Sequence, residues 1–115
     1  MAKPELEFHL PAGPWVEAGA PGIEEMCLSS DPVTGDDTSL LRWAPGTDST
    51  PLGAQQHDFW EEVYILEGAM TDLTLGETFS AGMYACRPPG MRHGPWTSES
   101  GYLALVSRYR TRSAS

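Results

Sequence analysis

The sequence predicts an all-β fold, a sandwich or small barrel of antiparallel strands, and three observations lead there. Turn residues recur every ~8–12 positions, and the Gly 12 and Pro 10 of this 115-residue chain are spread along it rather than gathered in one linker. The stretches between them are short, and none carries a convincing helical period. Hydrophobic residues at 40% with 20% charged lie in the ordinary globular range, and the length fits one domain with one core.

Taken in order, GIEEMCLSS at 22–30 and TSLLRWA at 38–44 read as strands separated by the turn cluster DPVTGDD at 31–37, the second ended by Pro45-Gly46. TDSTPLGA at 47–54 is again rich in turn residues. FWEEVYILEG at 59–68 is the most strand-like stretch. Phe59, Glu61, Val63 and Ile65 share one face, and Trp60, Glu62, Tyr64 and Leu66 share the other. Both faces are largely apolar, as expected of a strand between a barrel interior and a second packed layer, which makes Glu61 an oddity on the inner row. AMTDLTL at 69–75, a turn around Gly76, TFS at 78–80, MYACR at 83–87 and YLALVSRY at 102–109 complete the series. The expected organisation is a single domain over 1–115: N-terminal strands in 1–37, a barrel core in 38–110 and a short tail at 111–115.

Charge narrows the partners. The formal net charge is -9, a field that repels phosphate backbones and anionic membrane surfaces, so neither nucleic acid nor membrane is expected as a partner. Arg108, Arg110 and Arg112 cluster in RYRTRSAS, which reads as a solvated terminus. No run of 18 apolar residues exists and the start lacks the apolar stretch of a secretory signal, so the expected address is cytoplasmic. Cys27 and Cys86 lie too far apart for a CxxC site and are expected as reduced, partly buried thiols.

Of three histidines, two share a physical logic. His57 is followed four residues later by Glu61, and His93 follows a Pro-Pro-Gly turn in PPGMRHGPW. Neutral imidazoles and a carboxylate converging from rigid strands suit a divalent transition metal. Gln55, two positions before His57, points to the same side if the segment is extended. The competing reading is a His–Glu hydrogen-bonding pair without a metal. His9 stands apart from both motifs.

The stretch GMYACRPPGMRHGPWT at 82–97 resembles the second motif of the cupin superfamily, G-X5-P-X-G-X2-H-X3-N, at Gly82, Pro88, Gly90 and His93, with Thr97 in place of the final Asn. The stretch ending at Gly68 resembles the first motif at His57, Glu61 and Gly68, with Gln55 where the first His would stand and Gly46 as the nearest leading Gly. The wording of 61–105 is similar to the ChrR-type cupin-like subgroup, which also includes small diketone-cleaving dioxygenases. The resemblance implies a single-domain cupin jelly-roll barrel, an antiparallel β-sandwich of six to eight strands. It also implies a divalent transition metal (Fe, Mn, Ni or Zn) on His57, Glu61 and His93, with or without Gln55. If Gln55 stays out, the set is two His and one carboxylate, that of non-haem Fe(II) oxygenases. If the site is metal-free, His57 or His93 serves as general acid or base.

The function this implies is a small metal-dependent enzyme, best read as a dioxygenase acting on an enolisable or aromatic small molecule. The alternatives are a metal-assisted isomerase, cyclase or lyase, and a non-catalytic metal- or ligand-binding sensor domain. Trp43, Val63 and Ile65 are the expected pocket wall. The other aromatics fill the core or a dimer face, any one of Arg42, Arg87 and Arg92 is read as a surface salt bridge before a substrate anchor, and a homodimer is expected.

Overall fold

The computed structural model describes residues 3–110, so the tail at 111–115, with Arg112, lies outside the described residues. Nine strands run in chain order: β1 (Val16–Glu17), β2 (Ile23–Ser30), β3 (Asp37–Trp43), β4 (Thr47–Asp48), β5 (Trp60–Asp72), β6 (Glu77–Ser80), β7 (Tyr84–Arg87), β8 (Trp96–Ser98) and β9 (Tyr102–Tyr109). A single 3-10 turn, Thr50–Leu52, interrupts them. The turn-rich 47–54 therefore holds both a two-residue strand and this turn, too short to register as a hydrophobic pattern. No helix among the described residues is long and apolar enough to cross a membrane.

All pairings are antiparallel. The larger sheet runs β1-β2-β3-β9-β5, with β7 on the far side of β5, and the smaller one runs β6-β5-β8-β4. Both sheets share β5. Its first part pairs with β9 and β7, and Ala69–Asp72 pairs with β6 and β8. The sequence pattern breaks this strand at Gly68; the structure carries it through and bends it there, next to a register shift between Ile65 and Glu67. Gly68 has φ +79°, and a Cβ at this position would sit 2.1 Å from the Gly101 carbonyl oxygen. Only glycine lets the two strands approach this closely at the corner.

The inner faces of both sheets close over one core of Ile23, Trp43, Val63, Ile65, Met70, Trp96, Tyr102, Ala104 and Val106. Burying each Val or Ile contributes roughly 1.5–3 kcal/mol. Asp72, also buried, accepts hydrogen bonds at Oδ1 from the Thr74 and Leu75 amides (2.8 and 3.0 Å) and at Oδ2 from the Gly94 amide (3.3 Å). It thereby ties the turn after β5 to the segment carrying His93. Outside the barrel, Trp15 of the N-terminal segment lies 3.8 Å from the Arg42 guanidinium, and Arg42 pairs with Glu24 at the surface.

Three expectations change. Both cysteines are exposed rather than partly buried, and Cys86 points outward because it pairs with Glu62 on the solvent face of β5. Arg108 belongs to β9, not to a solvated tail, and the β9 register turns it inward opposite Asp37 and Glu61. The outer face of β5 has no second layer over Tyr64 and Leu66, which are 44% and 41% exposed.

Candidate metal centre

The residues around positions 57 and 93 are brought together by backbone hydrogen bonds. Gln55 and His93 form an isolated antiparallel bridge, Gln55 N to His93 O at 2.6 Å and His93 N to Gln55 O at 2.9 Å. The Gly90 amide donates to the His57 carbonyl at 2.8 Å, and Gln56 Nε2 donates to the Gly90 carbonyl at 3.0 Å. The Pro-Pro-Gly turn thus docks on the strand entrance. Residues opposite one another in an antiparallel bridge project to one side, so Gln55 and His93 share a face.

His57, Glu61 and His93 converge, with one ligand atom of each lying within 4.8 Å of the others. Glu61 and His93 are 8% and 9% exposed and His57 is half-buried. The His57 ring stacks on Phe59 at 4.6 Å and stands 5.1 Å from the His93 ring. His93 Nε2 is 3.8 Å from Glu61 Oε1, while Nδ1 faces the Met91 carbonyl at 3.4 Å. Assigning the proton to Nδ1 leaves the Nε2 lone pair aimed at the cluster. Burial, reinforced by the Arg87 charge and opposed by Glu61, holds the His93 pKa below its usual value, so the imidazole is neutral and able to coordinate at pH 7.

Glu61 does not stand alone. Arg87 Nη1 donates to Oε1 at 2.9 Å, and Arg108 Nε lies 3.5 Å from Oε2. Arg108 also pairs with Glu25 and, at 3.2 Å, with Asp37. Burial opposes the charge on Arg108, but the hydrogen bond and charge of Glu25, with Asp37 and Glu61, outweigh it and raise its pKa. Three carboxylates against two guanidiniums leave one negative charge in excess in a partly buried wall. Such an imbalance is relieved by a bound cation.

The donors fit a divalent ion. Bonds of ~2.0–2.2 Å to His nitrogen and carboxylate oxygen place adjacent donors ~3 Å apart, so the trio needs only a modest side-chain contraction. Gln55 lines the same 430 Å³ cavity as the three, together with Trp43, Tyr102 and Arg108. Trp43 Nε1 is itself buried without a hydrogen-bond partner, the one such side-chain atom among the described residues. A second, 520 Å³ cavity lies on the other side of a shared wall of Val63, Met70, Arg87, His93 and Trp96, and is lined further by Ile65, Phe79, Met83 and Met91.

The predicted wall residues are thus divided: Trp43 faces the first cavity, Ile65 the second and Val63 both. His9 is exposed, away from the site. Arg87, read from sequence as a surface ion pair, has a side chain only 13% exposed and lies over Trp96 at 5.1 Å. The register Glu61↔Arg87 and Glu61↔Arg108 puts both arginines opposite the carboxylate. Once Glu61 is assigned to the inner row, an inward acid opposite an inward arginine is the signal that was available for them.

Comparison with known proteins agrees with this architecture. No match was found among curated proteins. An RmlC-like cupin from Shewanella frigidimarina superposes with a TM-score of 0.73 at 17% identity, over 97% of this chain and 96% of that one. An acetylacetone dioxygenase from Acinetobacter johnsonii gives 0.71 at 18% identity, over 91% and 75%. The complex of Rhodobacter sphaeroides SigE with the anti-sigma ChrR gives 0.62 at 20% identity, over 86% and 51%. The model of the ChrR cupin-like domain matches residues 5–111, so the chain belongs to the ChrR cupin-like family and its barrel is a cupin.

Proposed function

We propose that this cupin is a metal-dependent enzyme that binds a small enolisable or aromatic molecule and, with a redox-active ion, cleaves it with dioxygen. The observation carrying the proposal is the convergence of His57, Glu61 and His93 within 4.8 Å on the wall of the first cavity, with His93 also bordering the second. When bound, a divalent ion supplies Lewis acidity and, if it is Fe(II), one-electron reactivity toward dioxygen. His57 and His93 would hold it as neutral nitrogen donors, Glu61 as the charged donor, and Gln55 offers an amide oxygen from the same side.

The chain's own residues do the rest. Val63, Ile65, Met70 and Phe79 form an apolar wall that excludes water and favours a hydrocarbon body. Arg87, between the cavities, places a fixed positive charge where a substrate oxygen gains negative charge on losing its proton. Trp43 and Tyr102 add aromatic surface to the first cavity. The acetylacetone dioxygenase of similar fold supports the diketone class as the first to screen.

One observation favours a second, metal-free reading. Arg87 already occupies the Glu61 oxygen that faces His93. In that case His93 acts as a general base in an enclosed pocket and Arg87 stabilises the resulting anion. Metal analysis of protein purified without chelators, followed by oxygen uptake with β-diketones and hydroxylated aromatics, separates the readings. Bound Fe with oxygen uptake abolished by His57→Ala supports the oxygenase. Turnover retained after complete metal removal supports the second reading. Tightly held Zn without turnover overturns both and leaves a sensor.

A further inference from the structure

The floor and the mouth of the second cavity differ in character. Val63, Ile65 and Met70 of β5 and Trp96 of β8 line it and are buried. Leu75, Met83 and Met91 also line it but are 62%, 46% and 46% exposed, so they mark the side open to solvent. Its 520 Å³ lies in the range of pockets that take one small organic molecule, ~300–1,000 Å³. The apolar floor favours a hydrocarbon chain or ring.

The charge sits at the mouth. Arg92 lines the cavity and is exposed, whereas its neighbour His93 is buried in the wall. Among the described residues Arg92 is the one arginine with no carboxylate at salt-bridge distance. Arg42 pairs with Glu24, Arg87 with Glu61, Arg108 with Glu25, Asp37 and Glu61, and Arg110 with Asp36 and Asp58. In a chain with 16 acidic residues against 7 Lys and Arg, scarcity of acids does not explain this. Asp72, the carboxylate on that cavity's wall, is held instead by the amides of Thr74, Leu75 and Gly94. A guanidinium left unpaired on an apolar rim is a receptor for a carboxylate, whose two oxygens match its parallel N–H groups.

We propose that the second cavity binds an apolar monocarboxylic acid, with its hydrocarbon chain or ring against Val63, Ile65, Met70 and Trp96 and its carboxylate at the mouth on Arg92. Arg87, on the wall between the cavities, has Glu61 as its partner, which leaves Arg92 as the unpaired charge. The acid then lies along the wall that carries His93. That it is the molecule on which the metal centre acts rests on the function proposed above; its binding does not.

Isothermal titration of the full chain with n-alkanoates from hexanoate to dodecanoate, and with the alkanols of equal length, tests this in the presence of chelator. Affinity for the alkanoates is expected to rise about fourfold per methylene until the cavity is full, then to level off. Each alkanoate should bind more tightly than its alkanol. Arg92→Gln is expected to weaken the alkanoates about fivefold and to leave the alkanols unchanged, and Arg92→Lys to recover part of the loss. Ala85→Leu, which puts a larger side chain on the cavity wall, should move the levelling point to shorter chains. Alkanoates that do not bind, or that bind no better than alkanols, overturn the proposal. So does an Arg92→Gln variant that weakens both series alike or neither, a result that stands even if Ala85→Leu does not fold. A folded Ala85→Leu with the length dependence of the wild type overturns the placement in this cavity. Because no metal is present, loss of oxygen uptake leaves these outcomes standing, and uptake with neutral diketones is measured independently of them.

Discussion

Replacing Glu61 by Gln keeps the side-chain shape and removes one charge from the centre of the ion cluster. In the structure that charge receives Arg87 Nη1 at 2.9 Å and lies 3.5 Å from Arg108 Nε. The Gln oxygen still accepts from Arg87, so an ion pair becomes a hydrogen bond between a charged donor and a neutral acceptor, a loss of ~1–1.5 kcal/mol. Arg108 retains Glu25 and Asp37, so its loss is smaller, and the total is about 2 kcal/mol. For a domain of this size that lowers Tm by ~8 °C. Glu61→Ala, which leaves Arg87 without its acceptor, is expected to cost ~3–5 kcal/mol. The assay is thermal unfolding in chelator, with Glu62→Gln as control. Glu62 sits on the same strand with its side chain outward beside Tyr84, and its replacement should leave Tm in place. If Glu61→Gln melts within ~2 °C of wild type, the Arg87–Glu61 ion pair contributes nothing measurable to the stability of the metal-free protein.

Two other outcomes follow from particular positions. Gly68→Ala forces a Cβ to 2.1 Å from the Gly101 carbonyl at φ +79° and is expected to cost about 3 kcal/mol or more in urea unfolding; a loss under about 1 kcal/mol would show that the β5 corner is not as tight as described. His93 has a folded-state pKa held below 6.5, chiefly by burial, so across the interval between that lowered value and 6.5 the unfolded chain binds more protons. Stability of metal-stripped protein should therefore fall as pH drops through that interval and be flat above it with respect to this group. His93→Gln should remove that slope, and an unchanged slope would place it on another residue.

The fold was legible because its punctuation is chemical. All twelve glycines sit at positive φ, and all but Gly68 lie outside the strands, so the excess of glycine in the composition is mostly an excess of turns and loops. The inner row of β5 was legible from alternation, and it correctly isolated Glu61 as a buried acid. What alternation cannot supply is pairing. Arg87 and Arg108 reach Glu61 only through the registers of β7 and β9 on β5, separations of 26 and 47 positions that carry no local signal. The short strands β1 and β4 escaped for a related reason: two residues hold no period, and backbone pairing alone defines them. Gly68 looked like a strand end because Gly usually is one, whereas here close approach to Gly101 requires it inside a continuous strand.

The central claim is that His57, Glu61 and His93 form one metal centre. Equilibrium dialysis against Fe(II), Mn(II), Ni(II) and Zn(II), with the bound ion counted by mass spectrometry, tests it most directly. About one ion per chain is expected in the wild type, with uptake lost in His57→Ala and His93→Ala variants that keep their β-sheet circular dichroism. A wild type that binds none of these ions, or variants that bind as much as the wild type, would contradict it.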